Sequence, residues 1–525
     1  MGIYLNPGNE NFKRTLTSEI YIDKTLMIRE TNHFIDTGNN YVCVSRPRRF
    51  GKTMASEMLS AYYSKGCDSS EVFKPYKIAS DASYEGKLNK YNVIKIDVNS
   101  EYQNVRDKDK LISTLTDEIK RELKAEFRDV PIEDDDSLAK SMLRIYEATG
   151  ETFVIIMDEY DVLVRERVSQ GLFDEYLSFL NGMFKSTTVR PAISLAYLTG
   201  ILPVVRDKIQ SKLNNFQEYT ILFAENLAEY IGFTSEEVRN LCREWGADFK
   251  ECKRWYDGYS QQGIEIYNPK SVVEAVRTKR YSNYWSKTSS YQAITDMIEM
   301  NFDGTKDDII RMLAGESVEV DTDGFLNTMT DFKIKDDVFT YLIHLGYLAY
   351  NLDDETCRIP NWEINKEWQR AISRQADYSE TNKLIKASRE LLDATIRGDS
   401  DAVAAALDIS HVHVTSNRSY NNEDALQSAI YLAYIYALNE YTIIREMTAG
   451  RGFADVVFVP FASGRPAMII ELKRNECTES AIAQIRGKRY FDSLAHYMGD
   501  LLFVGINYDE KEKTHTCEIE RFEKE

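Results

Sequence analysis

The stretch SRPRRFGKT (Ser45–Thr53) ends in Gly-Lys-Thr, a triplet that proteins use to hold nucleotide phosphates. Between an apolar run and a helix, the backbone N–H groups of such a loop and the positive end of the helix cradle phosphate oxygens. Lys52 would contact the β- and γ-phosphates, Thr53 would bind Mg²⁺, and Gly51 lets the backbone approach without a Cβ atom. The P-loop pattern asks for glycine where Arg46 stands, which weakens the match without removing a phosphate ligand.

A second acidic element further along the chain fits the same site. Four apolar residues, Val154–Met157, are followed by Asp158 and Glu159. This is a Walker B pattern, in which Asp158 holds Mg²⁺ and Glu159 orients or activates the attacking water. Thr199, at the end of a later apolar strand, is expected to contact the γ-phosphate or that water. The alternative is a set of buried strands that end in surface acids, and the joint presence of both halves favours the nucleotide site.

Two acids and a lysine form a separate cluster near the end of the chain. Asp455 begins one strand, and Glu471 and Lys473 end the next, two residues apart and therefore on one face. Two carboxylates can hold one or two Mg²⁺ ions against a phosphodiester, while Lys473 neutralises developing charge or holds the nucleophilic water. A Glu-x-Lys pair in a strand is also common as a solvated edge. The sequence leaves both interpretations open, and Asp455 with the flanking helices favours the chemical one.

The elements that must position these residues follow from hydrophobic patterning. Strand and helix patterns alternate over the first 200 residues, which predicts an α/β domain with a parallel sheet and flanking helices. Its strands are predicted at Tyr41–Ser45, Tyr91–Val98, Thr152–Asp161 and Ile193–Gly200, and its helices at Lys52–Tyr63, with Met54, Met58, Ala61 and Tyr62 on one face, and at Leu111–Phe127.

The rest of the chain divides into a helical middle region and a second α/β domain. The second domain is predicted to run α-β-β-β-α-β, with helices at Asn422–Glu440 and about Thr478–His496, and strands at 441–447, 454–460, 467–473 and 501–508. We therefore predict three domains, at residues 1–285, 286–395 and 396–525.

Composition limits the classes of function. The chain of 525 residues has 65 Lys and Arg against 84 Asp and Glu, a net charge of −19, so it would not coat nucleic acid indiscriminately. A local basic groove could still bind DNA. Seven cysteines without a C-x-x-C pair, no secretory signal and no apolar run of roughly 20 residues predict a cytoplasmic protein without a membrane span.

The amino-terminal motifs resemble the bacterial and archaeal AAA-ATPase-like family. The resemblance rests on YIDKT (Tyr21–Thr25), RPRRFGKT (Arg46–Thr53), YLTGILPV (Tyr197–Val204), YDGY (Tyr256–Tyr259) and YNPKSV (Tyr267–Val272). It implies that Arg46 is the family's usual residue at this position. It also implies a P-loop NTPase fold in which Arg48 and Arg49 add positive charge beside the phosphates. An N-K-x-D element for guanine is absent from the sequence, so ATP is the expected nucleotide.

The carboxyl-terminal motifs resemble the PD-(D/E)XK nuclease superfamily, which has a restriction-endonuclease-like fold. The resemblance rests on GRGFADVVF (Gly450–Phe458), IIELK (Ile469–Lys473) and AIAQIRGKRY (Ala481–Tyr490). It implies that Asp455, Glu471 and Lys473 form the catalytic triplet, and that Gln484 and Tyr490 lie near it on the following helix.

Two residues depart from the superfamily pattern, because Ala454 stands at the proline and Phe453 where arginine is often found. Glu423 is a candidate extra metal ligand, and an exposed acid at a helix start is an equal interpretation. The cationic side chains on the following helix would meet a phosphate backbone or form a solvated face: Arg486, Lys488 and Arg489.

These patterns predict an ATP-binding, ATP-hydrolysing P-loop domain coupled to a Mg²⁺-dependent nuclease-like domain that acts on nucleic acid, with DNA favoured over RNA. Self-association into a homo-oligomer is a further candidate interaction. The alternative function is a non-enzymatic switch, in which nucleotide binding changes the shape of the protein and the carboxyl-terminal fold only binds nucleic acid or a protein.

Overall fold

The computed structural model of the chain describes residues 2–166, 168–204, 213, 215–285, 292–300, 302–313, 315–325, 332–373, 379–414, 426, 430, 433–449, 452–460, 464–490, 494 and 499–522. The chain divides into two compact units, Met1–Trp368 and Gln369–Glu525. The finer boundaries near residues 285 and 395 stay predictions. Within the described residues no helix is both long enough and apolar enough to cross a bilayer.

The first unit is built on a parallel sheet, as the sequence predicts. Within the described residues five strands pair in the order β2-β3-β4-β1-β5, each parallel to its neighbour. They are β1 (Tyr41–Ser45), β2 (Asn92–Asp97), β3 (Phe153–Asp158), β4 (Ile193–Gly200) and β5 (Gln217–Tyr219). Every residue of β1, β3 and β4 is buried, because helices cover both faces of such a sheet and apolar runs satisfy both sides.

The strand register determines what meets at the carboxyl edge of this sheet. Asp97 at the end of β2 is paired with Asp158 at the end of β3, and Asp158 with Thr199 near the end of β4. Thr199 is paired in turn with Val44 of β1, one residue before the strand ends. The loop after β1 and the acids after β2 and β3 therefore share one edge.

Helices cover this sheet and continue into the middle of the chain. Those that begin in the first unit are α1 (Glu10–Leu16), α2 (Met27–Phe34), α3 (Lys52–Tyr63), α4 (Ser70–Phe73), α5 (Tyr84–Lys87), α6 (Val98–Asn104), α7 (Leu111–Glu126), α8 (Leu138–Thr149), α9 (Val162–Arg165), α10 (Gln170–Phe184), α11 (Ser235–Trp245), α12 (Phe249–Tyr256), α13 (Pro269–Thr278), α14 (Gln292–Ile298), α15 (Thr305–Leu313), α16 (Lys335–Leu345) and α17 (Trp362–Ser373). Of the four residues predicted on one face of α3, Met58, Ala61 and Tyr62 are buried and Met54 is 44% exposed.

Two small antiparallel sheets interrupt the helical region. One has the order β6-β8-β7, with β6 (Phe233–Thr234), β7 (Tyr259–Gln261) and β8 (Ile264–Tyr267). The other has the order β10-β11-β9, with β9 (Val318–Glu319), β10 (Ala349–Asn351) and β11 (Thr356–Arg358).

The second unit contains a mixed sheet. Its described strands pair in the order β12-β13-β14-β15-β16, antiparallel except for the parallel pair β14 and β15. They are β12 (Tyr441–Ala449), β13 (Gly452–Pro460), β14 (Ala467–Arg474), β15 (Leu501–Asp509) and β16 (Thr514–Phe522), with helices α18 (Ser379–Arg397), α19 (Ser400–Val414) and α20 (Thr478–Lys488).

Strand alternation separates the two faces of the mixed sheet. Val456 and Ile470 pack in a core with α18 and α19, whereas Val457 and Ile469 pack in a core with α20. Asp455, Glu471 and Lys473 share the parity of the second set, so the period of two sends them to the face that α20 covers.

The sequence-based description of this unit is right in outline and wrong at two places. The helix predicted to reach His496 ends at Lys488, because Arg489 adopts a left-handed backbone with φ 53°. Strand β16 is not predicted, and it pairs with β15 at the sheet edge. Nine of the 19 residues of the predicted helix Asn422–Glu440 lie outside the described residues, and its last part, Ile435–Asn439, is a 3-10 helix.

Two glycines that flank strand β7 allow a matched test of how closely the hairpin of β7 and β8 packs against Pro360. Gly258 has φ 109°, and a Cβ atom there would lie 1.9 Å from the carbonyl oxygen of Pro360, whereas Gly263 has φ 82° with open space around it. Gly263→Ala should cost only the strain of positive φ, about 1–2 kcal/mol. Gly258→Ala should cost about 2–5 kcal/mol, since a backbone clash adds to that strain. Urea unfolding of both variants checks this; equal losses would contradict the described contact.

Candidate functional site

A cavity of about 850 Å³, the P-loop cavity, lies at the carboxyl edge of the parallel sheet. Its polar lining residues include Arg48, Lys52, Thr53, Asp97, Glu159 and Arg277. Its apolar lining residues include Ile20, Tyr21, Phe50, Met54, Tyr230 and Phe233. Charged and aromatic side chains in one cavity suit the phosphates and the base of a nucleotide, and the volume is in the range of small-molecule pockets.

Arg46 answers the question raised by the irregular P-loop. Its backbone N–H donates to the carbonyl of Gly200, which continues the pairing of β1 with β4 past the end of the strand. Its side chain is fully buried and donates to the carbonyls of Ser45 and Tyr219, both at 2.8 Å, and to Gln261 at 3.3 Å. Burial lowers the pKa of Arg46 to about 10. Arg46 therefore belongs to the end of the sheet and not to the turn at Gly51.

Lys52 is the first residue of α3, after Gly51 at φ 99°. Only glycine adopts that conformation without strain, so Gly51 is required by the turn and not by lack of space. The ammonium of Lys52 is 4% exposed and donates to the carbonyls of Arg46 and Pro47 at 3.0 and 3.1 Å. Burial lowers the pKa of Lys52, and the nearby carboxylates of Glu159 and Asp158 oppose that shift.

Asp158 is 1% exposed, and its Oδ2 accepts a hydrogen bond from the hydroxyl of Ser56 at 3.3 Å. Burial raises the pKa of Asp158 to about 6; the charges of Glu159 and Asp97 add to the shift, and the Thr53 hydroxyl and Lys52 oppose it. A buried carboxylate with other acids and a hydroxyl nearby is an oxygen-only set of donors, which suits Mg²⁺. The residues present therefore fit the metal that the sequence predicts.

Glu159 has a left-handed backbone with φ 50° and is held between two cations. Its Oε1 lies 3.9 Å from Nζ of Lys52, and its Oε2 accepts from Nη2 of Arg165 at 2.5 Å. Arg165 also donates to Asp161 at 2.9 Å, and Asp161 accepts the backbone N–H groups of Ile201 and Leu202 just after β4. The position of Glu159 is thereby tied to the turn that follows β4.

The remaining residues predicted for this site differ in whether their side chains are available to the cavity or bonded elsewhere in the fold. Arg48 is exposed and lines the cavity. Arg49 also borders the cavity, but its guanidinium donates to the carbonyls of Tyr284 and Trp285. Thr199 is fully buried, and its hydroxyl donates to the carbonyl of Val44 at 2.9 Å, inside the sheet.

The predicted residues of the second unit come together in one hydrogen-bonded cluster, the β14–α20 cluster, formed by Asp455, Glu471, Lys473, Gln484 and Tyr490. The carboxylate of Asp455 accepts the backbone N–H of Leu472 at 2.7 Å. Nζ of Lys473 donates to Glu471 at 3.2 Å and to the side-chain oxygen of Gln484 at 2.8 Å. The amide nitrogen of Gln484 donates to Glu471 and to the Tyr490 hydroxyl.

In the β14–α20 cluster, the surroundings of Glu471 disfavour the charged form of its carboxyl group. It is 2% exposed, and burial raises its pKa to about 7, with the charge of Asp455 adding to the shift and Lys473 opposing it. Its Oε2 is buried and has no hydrogen-bond partner among the described residues. An orphaned carboxylate oxygen near a second carboxylate fits a hard cation such as Mg²⁺.

The donor set of the β14–α20 cluster is small. Among the described residues no group of three or more His, Cys, Asp or Glu side chains is arranged to hold a metal ion. Mg²⁺ is usually held by one or two carboxylates and keeps several waters, so two acids suffice. Glu423 and the side chain of Phe453 lie outside the part of the chain that the structure describes. Arg486 of the predicted cationic stretch is paired with Glu520.

Two family models match the chain. Residues 7–210 match the model described as "Predicted AAA-ATPase", and residues 421–518 match that of the PD-(D/E)XK nuclease superfamily. The chain carries an AAA-ATPase-like domain and a PD-(D/E)XK nuclease superfamily domain. Both resemblances drawn from the sequence motifs are thereby confirmed.

Relatives add little to this assignment. A curated relative from Azotobacter chroococcum mcd 1, named "Uncharacterized protein in vnfD 5'region", is 22% identical over 295 residues. The alignment covers 53% of this chain and 52% of that protein, so this chain spans about half the length of the relative.

Solved structures of Cdc6p from Pyrobaculum aerophilum and of the ORC2 protein from Aeropyrum pernix, the latter in ADPNP–ADP complexes, are also similar. They cover 70% and 69% of this chain and 99% and 98% of their own chains, at 10% and 12% identity and TM-scores of 0.26 and 0.23. At these scores the likeness adds nothing to the assignment.

Sequence reasoning missed two residues of the AAA-ATPase-like domain. Asp97 ends its strand as Asp158 ends β3, and that parallel was the available signal. Arg165 lies six residues after Glu159, a spacing that carries no signal, and only the fold of α9 brings the two together.

The pH dependence of stability tests the environment of Glu471. The folded nuclease superfamily domain keeps a proton that the unfolded chain releases between pH 4.5 and about 7, so wild-type stability should fall as pH rises through that range. Glu471→Gln cannot titrate, so its stability relative to wild type should increase by about 1–3 kcal/mol between pH 5 and pH 8 in EDTA. Denaturant titrations at both pH values measure this, with the exposed Glu512→Gln as control. A difference in stability between Glu471→Gln and wild type that is the same at both pH values would contradict a raised pKa of the buried Glu471.

Proposed function

We propose that the AAA-ATPase-like domain binds and hydrolyses ATP with Mg²⁺, and that the nuclease superfamily domain cleaves phosphodiester bonds of nucleic acid, DNA in particular. The observation that carries the proposal is that each domain holds a lysine within 4 Å of a glutamate, at a site with further acids, and that the side chains of Lys52 and Lys473 are only 4% and 13% exposed. A phosphate brings negative charge to the lysine, and the acids supply oxygen ligands for its metal. Cytoplasmic location and self-association remain predictions of the sequence.

In the AAA-ATPase-like domain, different groups of the chain bind the phosphates and activate the attacking water. Backbone N–H groups of the loop and the start of α3 hold the phosphates, and Lys52 binds the β- and γ-phosphate oxygens in place of the carbonyls it now contacts. Arg48, an exposed residue that lines the cavity, adds a further cation. Glu159 accepts a proton from the attacking water, while Arg165 holds its other carboxylate oxygen. Thr53 and Asp158 would hold Mg²⁺, which would supply charge neutralisation at the phosphates.

In the nuclease superfamily domain Lys473 is the group that meets the phosphate. Its ammonium neutralises charge that develops on the scissile phosphate or holds the attacking water. Asp455 and Glu471 would hold Mg²⁺, which supplies Lewis-acid activation when bound. Gln484 and Tyr490 keep Lys473 and Glu471 in place through their hydrogen bonds.

Two substitutions separate nucleotide binding from hydrolysis. Lys52→Ala should weaken ATP binding about 10- to 100-fold, the value of a hydrogen bond to a charged group. Glu159→Gln should keep ATP affinity and lower kcat about 10²- to 10⁴-fold, because the general base is lost. Calorimetry and phosphate release measure both, with the exposed Lys74→Ala as control. Equal ATP affinity of Lys52→Ala and wild type would refute the binding site.

Three substitutions test the β14–α20 cluster. Asp455→Ala and Glu471→Ala should lose cleavage together with Mg²⁺ affinity, because each removes a carboxylate ligand. Lys473→Ala should lose cleavage by about 10²-fold or more and largely keep the metal, since an ammonium is no ligand. Mn²⁺ and Mg²⁺ calorimetry and cleavage of linear, circular and single-stranded substrates, with and without ATP, measure this. The exposed Asp500→Ala is the control.

The outcome distinguishes the two functions left open by the sequence. If the wild-type protein binds neither Mg²⁺ nor Mn²⁺ and cuts neither DNA nor RNA, the proposed nuclease activity is refuted. The non-enzymatic, nucleotide-dependent switch would then be the function to test.

A further inference from the structure

Glu363, at the start of α17, is a buried carboxylate well beyond residue 210, where the AAA-ATPase match ends. It is 1% exposed, and its Oε1 accepts the backbone N–H groups of Tyr284 and Trp285 at 2.7 and 2.9 Å. The hydroxyl of Ser271 lies 3.0 and 2.8 Å from its two oxygens. Burial raises the pKa of Glu363 to about 7. Burial of a carboxylate is energetically unfavourable unless it accepts hydrogen bonds, so these donors stabilise Glu363 in this position.

Arg49 reaches the same short segment from the P-loop. Its Nη1 donates to the carbonyl oxygens of Tyr284 and Trp285 at 3.3 and 2.9 Å. The peptide group that joins Tyr284 to Trp285 therefore has its carbonyl bonded to a guanidinium and its N–H bonded to a carboxylate. Charged partners at both ends of one peptide dipole strengthen both hydrogen bonds.

Glu363 is also bonded to α13, a helix that lines the P-loop cavity. Ser271 lies in the first turn of α13, where the side chain of Asn268 accepts its backbone N–H. Pro269, Lys270, Val273 and Arg277 of the same helix segment line the cavity. One carboxylate thus connects α13, through Ser271, with the phosphate-binding loop, through residues 284–285 and Arg49.

We propose that Glu363 and Arg49 are positioning residues that fix α13 against the P-loop and thereby set the affinity for ATP, without Glu363 contacting the nucleotide. This rests on the proposed ATP site for its effect on affinity, whereas the linkage between α13 and the P-loop is a property of the protein alone. Arg49 acts through residues 284–285, and Arg48 is left as the arginine of the pair that faces the phosphates.

Hydrogen exchange without nucleotide tests the linkage. Arg49→Ala removes a side chain with no hydrogen bond to α13 in the described structure, yet residues 269–278 should exchange at least about 10-fold faster, as they should in Glu363→Ala. Glu363→Gln keeps an acceptor oxygen and the side-chain shape, and should exchange within about 3-fold of wild type. Leu115→Ala is the control, because Leu115 is buried in the core of the parallel sheet, which contains no residue of α13 or of this network, so exchange of residues 269–278 should stay within about 3-fold of wild type. Unchanged exchange of α13 in Arg49→Ala overturns the linkage.

ATP titration and steady-state kinetics test the consequence. Arg49→Ala and Glu363→Ala should each raise Kd and KM about 10-fold with kcat within about 3-fold, because Lys52 and Glu159 are untouched. The double variant should be no weaker than the worse single variant, since Arg49 is linked to α13 through the peptide group that Glu363 bonds. Additive losses, or wild-type affinity in both single variants, overturn the positioning role while the ATP site stands. A wild type that binds no ATP overturns the proposed function and the affinity effect together; the exchange result then decides the linkage.

Discussion

The buried ammonium of Lys52 and the buried carboxylate of Asp158 lie at one sheet edge, and the surrounding structure must compensate for the removal of both charges from water. Neither group would be stable there alone, because removing an unpaired charge from water costs several kcal/mol. The strand register brings Asp97, Asp158 and the end of β1 together. The carbonyls of the loop after β1 then bond to Lys52.

The same electrostatic arrangement recurs in the β14–α20 cluster on an unrelated sheet. Lys473 contacts Glu471, as Lys52 faces Glu159, and in each case one lysine balances more acid than it can neutralise. The pKa values of Asp158 and Glu471 are accordingly raised, with burial the largest cause. Both sites thus have unmet demand for positive charge, which an oxygen-seeking cation would satisfy, while an incoming phosphate would compete for the lysine.

The sequence predicts those parts of the structure whose signal is local. Strands β1, β3 and β4 are apolar runs buried on both faces, so their bounds are predicted within a few residues, and Asp158 and Glu159 are conspicuous because they end one of those runs. Gln484 and Tyr490 were found only through family resemblance, since nothing in their spacing points to Glu471.

The parts that could not be predicted depend on contacts between distant segments. Strand β16 is a half-exposed edge strand, so few of its side chains are buried and its apolar pattern is weak. The direction of Arg49 and of the Thr199 hydroxyl is set by carbonyls elsewhere in the fold, whereas their residue types suit phosphate contact equally well. Nothing in the sequence around Glu363 distinguishes it from other glutamates. Its contacts depend on the fold, in which α17 places its carboxylate against the backbone of residues 284–285.

The burial of Arg46 changes what the first position of the phosphate-binding motif means. Where that position opens a free turn, glycine is useful because the chain must bend without a side chain. Here the position still belongs to the sheet, since its N–H pairs with β4 and its guanidinium reaches β5 and β7. A motif search that insists on glycine therefore tests for a flexible hinge, and it will pass over proteins in which the same loop is anchored by a long cationic side chain instead.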